Sequence, residues 1–228
     1  AKFWLSVMNE LKSRGVEVLT GVQLVSVSAT DGGALLTLLH SGEALSRKAE
    51  AILVATGRHP NTAELGLDSA GIELTARGAV VTDEHLRTNM PHIYAMGDVL
   101  GGLQFTYISL DDFRIVRSAV LGDGSYTTTK RGAVPYSVFL NPPFSRVGLS
   151  EQEAKELGYS VKVARLPAAA IPKAHVLEQP GGLLKAVIDR DTGHILGAHL
   201  FCEESHELIN LIKLAMDAEL PYTLLRDM

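Results

Sequence analysis

Apolar residues open the chain at three-to-four spacing, Phe3, Val7 and Leu11 with Trp4 and Met8 beside them, and Gly15 follows as a stop, so the pattern predicts a helix. The spacing then shortens. Val16 to Leu19 reads as a strand, and Gln23 to Ala29, Ala34 to His40 and Ala44 to Lys48 read as three more. The separators Asp31-Gly32-Gly33 and Ser41-Gly42 are turn chemistry, which predicts an antiparallel meander. Ala51 to Ala55 is apolar throughout, as in a strand covered on both faces, and ends in Thr56-Gly57-Arg58-His59-Pro60-Asn61. A short strand pair is expected at Ala79-Val80-Val81 with Leu86, and a second apolar strand at Ile93 to Val99, ending in Gly97-Asp98. Leu110, Phe113, Val116 and Val120 then repeat at helical spacing until Gly122.

Asp123 to Lys130 is polar and turn-rich, the expected linker, and the pattern changes beyond it. Val134 to Leu140 reads as a strand broken by Asn141-Pro142-Pro143, and Ser150 with Glu153 forms a capping box for a helix stopped by Gly158. Strands follow at Ser160 to Leu166, Leu183 to Asp189 and Ile195 to Phe201, the last two joined by a hairpin at residues 190–193. Glu203 to Ala218 is an amphipathic helix, with Leu208, Leu211, Ile212 and Ala215 on one side. The fold class is therefore an α/β part followed by an α+β domain with an antiparallel sheet.

Bulk properties narrow the function. With 228 residues, 46% of them apolar, the chain is globular and long enough for one large or two ordinary domains. A net charge of −5 with dispersed Lys and Arg argues against a nucleic-acid partner, and no apolar run approaches the roughly 18 residues needed to span a bilayer, which argues against a membrane one. The single cysteine, Cys202, excludes an internal disulfide framework and points to the cytoplasm. The chain also starts inside a helix without Met or an N-cap, which reads as a fragment.

Two strand endings are the site candidates. Gly97-Asp98 presents a carboxylate at a strand tip, where ligands of α/β proteins sit, and the helix beginning near Thr106 points its positive end at an electron-rich ligand oxygen. Gly57-Arg58 combines close backbone approach with a fixed positive fork. Each, alone, is also what a plain turn looks like. His194, His199, Cys202 and His206 carry metal-ligating atoms, but His194 and His199 are an odd number of positions apart on one strand and face opposite sides, so no metal site is assigned.

The ordered appearance of Ala55-Thr56-Gly57-Arg58-His59-Pro60-Asn61, then Ala95-Met96-Gly97-Asp98-Val99, then the α+β tail, resembles the C-terminal half of the pyridine nucleotide-disulfide oxidoreductases, which include glutathione reductase, dihydrolipoamide dehydrogenase and mercuric reductase. The stretch Gly102 to Asp112 is similar to the bacterial subgroup linked to reactive-chlorine resistance. The resemblance implies that residues 1–91 are the later part of an NAD(P)-binding domain, 92–128 the returning segment of an FAD domain, and 129–228 a dimerisation domain. It implies FAD and NAD(P)H as cofactors and a homodimer. Gly57 and Arg58 would lie beside the pyridine nucleotide. Gly97 and Asp98 would meet the flavin, with Asp98 accepting from a ribityl hydroxyl, while Thr106 and Tyr107 would place backbone N–H groups near the pyrimidine edge; Tyr107 stands where many relatives carry proline.

The departures matter equally. No G-x-G-x-x-G and no C-x4-C occurs in the 228 residues, and the chain stops before the family's His-Pro and downstream Glu segment, so no catalytic residue is assigned. Two function classes stand: a fragment, itself inactive, of a flavin-dependent oxidoreductase passing a hydride from NAD(P)H through FAD and a dithiol, or a non-catalytic dimerising or regulatory scaffold with vestigial nucleotide motifs. These residues leave open the acceptor and the choice between NADH and NADPH.

Overall fold

The structure, a computed structural model, describes residues 2–228. The chain divides into two compact units, one made of the residues up to Leu53 together with Ala133–Met228, the other of Val54–Gly132.

In the first unit, α1 (Lys2–Ser13) is followed by the expected meander, β1 (Val22–Thr30), β2 (Gly33–His40) and β3 (Glu43–Ala49), paired antiparallel in that order. Its corner requires glycine: a Cβ at Gly33 would stand 2.2 Å from the Ala49 carbonyl oxygen. Val16 to Leu19 and Ala51 to Ala55 are not strands. Both run through the chain without a ladder, and a segment without a hydrogen-bonded neighbour is not a strand whatever its β propensity. Leu53 is 90% exposed, so the apolar run that suggested two covered faces has neither covered here.

The larger sheet contains β4 (Tyr136–Val138), β5 (Phe144–Gly148), β6 (Val161–Pro167), β7 (Leu183–Asp189) and β8 (Ile195–Phe201), all antiparallel in the order β4-β5-β8-β7-β6; β5 is the strand that the sequence pattern did not predict. The Ser150–Glu153 capping box is formed and starts α3 (Glu151–Glu156), and α4 (Pro172–Val176) interrupts the connection between β6 and β7. The central strand β8 is the most buried, because it is paired on both edges and covered by α5 (Ser205–Asp217). The core gathers Val147, Ala198, Leu200 and Ile209, and Cys202 is a buried free thiol among them, pushed up to about 11 by its burial. The final helix is α6 (Tyr222–Arg226).

The inward face of α5 differs from the expected one. Ser205, Ile209, Ile212, Ala215 and Met216 turn toward the sheet, while Leu208 and Leu211 are exposed together with Leu214. This helix carries apolar side chains on two stripes, so helical spacing alone did not say which one the sheet would take.

His199 lies on β8 opposite Arg146 of β5 and Lys185 of β7, with its ring 5.8 Å from that of Phe3. Its Nδ1 is buried without a partner, and burial, reinforced by the two cations, pulls the imidazole down to about 4. Glu153 opposes this only weakly. The unfolded chain takes up a proton near pH 6.5 and the folded chain only near pH 4, so stability falls as pH drops through that window. At about 1.4 kcal/mol per pH unit, the loss is about 3 kcal/mol. His199→Phe is expected to flatten the pH 4–6.5 slope of the urea unfolding free energy by that order, and an unchanged slope would contradict this assignment. His206 is half-buried with its ring edge-on to Phe139. Among the described residues, no three His, Cys, Asp or Glu side chains gather to hold a metal ion, and no helix is long and apolar enough to cross a membrane.

Candidate functional site

The unit Val54–Gly132 contains all six candidate residues. Ile93 to Val99 is not a strand: Tyr94 makes one isolated antiparallel bridge to Arg87, and the chain then winds into a single 3-10 turn at Gly97–Leu100. Leu74 and Val80 likewise form a bridge and no longer ladder. Backbone bonds hold the segment in place nonetheless, from Ala95 N–H to the Leu86 carbonyl at 3.0 Å and from Val80 N–H to the Val99 carbonyl at 3.0 Å.

Position 97 needs glycine on two counts. Its φ is +76°, and a Cβ there would stand 2.8 Å from Ser109 Oγ of the helix α2 (Thr106–Leu121). Its amide donates to Asp112 Oδ2 at 2.8 Å, so the turn is pinned to the helix through a side chain as well as by packing. Asp98 follows with its side chain half exposed, facing Arg58 Nη1 at 3.5 Å. At that distance, and with the guanidinium 69% exposed, the pair is weak and leaves the carboxylate free to accept elsewhere.

The structure therefore joins Arg58 to Asp98 across forty positions, and Gly97 to α2. Thr106 and Tyr107 form the first turn of α2, whose N-cap, Phe105, is extended and supplies no side-chain cap. A sixteen-residue helix ending this way directs N–H groups and a partial positive charge at whatever lies before it. The rings of Phe105 and Tyr107 stack at 5.5 Å. Gly57, at φ +106°, has open space where a Cβ would be. A cleft of about 810 Å³ opens beside it, lined by Arg58, His59, Thr75, Arg77, Leu100 and Gln104 among others and by no carboxylate; of the six candidates only Arg58 lines it.

Sequence reasoning missed the group beneath the turn. The buried face of α2 is Ile108, Asp111, Asp112 and Ile115, whereas the expected Leu110, Phe113 and Val120 are about half exposed. Asp111 takes Arg131 Nε at 2.6 Å and the Tyr126 hydroxyl at 2.8 Å, and Arg131 Nη2 donates to Asp112 Oδ1. Burial, followed by the Asp111 carboxylate, raises the Tyr126 phenol above its ordinary range and keeps it a donor. The available signal was the adjacent acidic pair at positions that share helical spacing with Ile108 and Ile115.

Comparison with known proteins accounts for both units. The family model described as pyridine nucleotide-disulphide oxidoreductase matches residues 5–112, and the one for the dimerisation domain of the same family matches residues 134–228. The chain is 48% identical over 217 residues to the probable pyridine nucleotide-disulfide oxidoreductase RclA of Escherichia coli, covering 95% of this chain and 48% of that protein. Mercuric reductase of Staphylococcus aureus is 36% identical over 92% of the chain and 38% of its own length. The solved HOCl-induced flavoprotein disulfide reductase RclA from Escherichia coli superposes with a TM-score of 0.92 at 45% identity, over 100% of this chain and 52% of that one. LpdA from Mycobacterium tuberculosis superposes with a TM-score of 0.86 at 27% identity, over 98% of this chain and 48% of that one. The chain thus spans about half the length of the relatives it matches. With both family models matched in order and the whole fold shared, the chain belongs to the pyridine nucleotide-disulphide oxidoreductase family.

Proposed function

We propose that this chain is the carboxyl-terminal half of a flavin-dependent oxidoreductase that passes a hydride from NAD(P)H through FAD and a redox dithiol to an acceptor. The observation that carries the reading is the Gly97-Asp98 turn: a half-exposed carboxylate on a backbone fixed by a buried clamp, beside a helix start with no side-chain cap. The residues fit a flavin, because Asp98 can accept from a ribityl hydroxyl and the first-turn N–H groups of Thr106 and Tyr107 can donate to electron-rich pyrimidine oxygens. Arg58 fits a pyridine nucleotide, since the cleft it lines carries a second guanidinium and an imidazole and its own pairing with Asp98 is weak, and Gly57 beside it leaves open space for close approach. FAD, when bound, supplies the two-electron chemistry. The chain's own residues bind and orient: Asp98 fixes the ribityl chain, and α2 favours negative charge at the ring edge.

In this reading residues 1–91 serve NAD(P)H, 92–128 complete the FAD domain, and 129–228 form the dimer. With Cys202 alone and buried, the dithiol belongs to residues beyond these 228, and the chain by itself does not turn over. That lone reduced thiol also supports a cytoplasmic location. The purified 228-residue chain is expected to be colourless and inert toward NAD(P)H, with the full-length protein yellow and active. A yellow, turning-over 228-residue chain would overturn the half-enzyme reading, and a full-length protein that takes up no flavin would favour the scaffold.

The exposed stripe Leu208, Leu211 and Leu214 on α5 supports a homodimer through residues 129–228. Sedimentation equilibrium of the full-length protein is expected to give a dimer, shifted to monomer by Leu211→Asp; a wild-type monomer at high concentration would contradict it.

A further inference from the structure

We infer that Asp112, with Arg131 as its counter-ion, is the positioning residue for Asp98. The inference rests on the flavin reading of Asp98. Asp112 is 1% exposed, and both of its oxygens are committed, Oδ2 to the Gly97 amide at 2.8 Å and Oδ1 to Arg131. A buried carboxylate is costly unless it is paired, and an apolar side chain of similar volume between Ile108 and Ile115 would often serve packing as well or better. Helix packing therefore does not account for an ion pair at this position. What the carboxylate does that an apolar residue cannot is hold an amide, and the amide it holds is that of Gly97, the residue immediately before Asp98.

The geometry makes that amide a sensitive one. Gly97 sits at φ +76°, a region where glycine alone moves freely, so without the bond to Asp112 the most mobile residue of the turn would set the direction of the Asp98 side chain. Arg131 in turn spans both acids, donating Nε to Asp111 at 2.6 Å while Tyr126 occupies the second oxygen of Asp111. The planar guanidinium bridges two carboxylates at fixed spacing, which a lysine cannot do. The clamp thus ties the end of the Val54–Gly132 unit, where Arg131 lies, to the backbone that carries Asp98.

The test uses the full-length protein, stripped of flavin and titrated with FAD by fluorescence quenching, in four forms: wild type, Asp98→Ala, Asp112→Asn and the double variant. Asp112→Asn is expected to weaken FAD binding about tenfold and to speed exchange of the Gly97 amide in the flavin-free protein by a similar factor, the size expected for losing a charge-assisted hydrogen bond. In the Asp98→Ala background the same change is expected to cost less than about twofold, because a residue acting through Asp98 has nothing left to position. Multiplying losses in the double variant, or unchanged Gly97 exchange in Asp112→Asn, would overturn the inference. Wild-type FAD affinity in Asp98→Ala would instead overturn the flavin reading. Should Asp112→Asn fail to fold, Arg131→Lys keeps the charge at a partly exposed site; it is expected to weaken FAD about threefold, again with no further loss beside Asp98→Ala, and additive losses there would count equally against the clamp.

Discussion

Phe201→Ala is expected to cost the larger sheet about 3–5 kcal/mol, the cost of truncating a buried aromatic in a core that does not collapse around the gap. Phe201 is the largest of the fully buried side chains, 1% exposed, and ends the central strand β8 with Phe144 and Leu183 as its neighbours across the two ladders. The backbone around it has little room to move inward. Gly182 passes so close that a Cβ on it would stand 1.9 Å from the Phe201 carbonyl oxygen, which fixes the strands at their present spacing. Hence the cavity stays open and its full cost is paid. Urea unfolding should show a lower midpoint with an unchanged slope, and a loss under about 1 kcal/mol would mean that β8 repacks and is not the fixed centre of the sheet.

Much of this fold could be read along the chain, and the reasons are local. The meander follows from Asp31-Gly32-Gly33 and Ser41-Gly42, and α3 from Ser150 and Glu153, because turns and caps are made by residues adjacent in sequence. Strands β7 and β8 were legible to the residue, since a hairpin between two apolar runs brings its own partner strand. Failures occurred where structure depends on something distant. Ala51 to Ala55 has a strand's composition and no ladder; Ile93 to Val99 yields one bridge and a 3-10 turn because Gly97 takes a positive φ. In α2 the expected Leu110, Phe113 and Val120 are about half exposed, while Asp111 and Asp112 are inside between Ile108 and Ile115, which hydrophobic spacing does not predict because burial of Asp112 depends on Arg131, nineteen positions away. The site was legible in the same uneven way. Gly57-Arg58 and Gly97-Asp98 stood out as strand endings and gained weight from their order, whereas the Arg58 to Asp98 contact and the clamp under Gly97 are products of the fold.

Asp98→Ala is the other substitution with a large expected effect, and it falls on binding and not on stability. The side chain is half exposed and its one ion pair, to Arg58 at 3.5 Å, is weak, so its removal should leave the unfolding free energy within about 0.5 kcal/mol of wild type. A hydrogen bond from a ribityl hydroxyl to this carboxylate is worth about 1.5–3 kcal/mol, which corresponds to a loss of FAD affinity of about tenfold to a hundredfold. The neutral Asp98→Asn should fall between, as it keeps an acceptor and loses the charge. The most direct measurement is therefore the FAD dissociation constant of the full-length protein with Asp or Ala at position 98. A constant raised at least about tenfold with unchanged stability is the result this account predicts, and equal constants for the two proteins would contradict it.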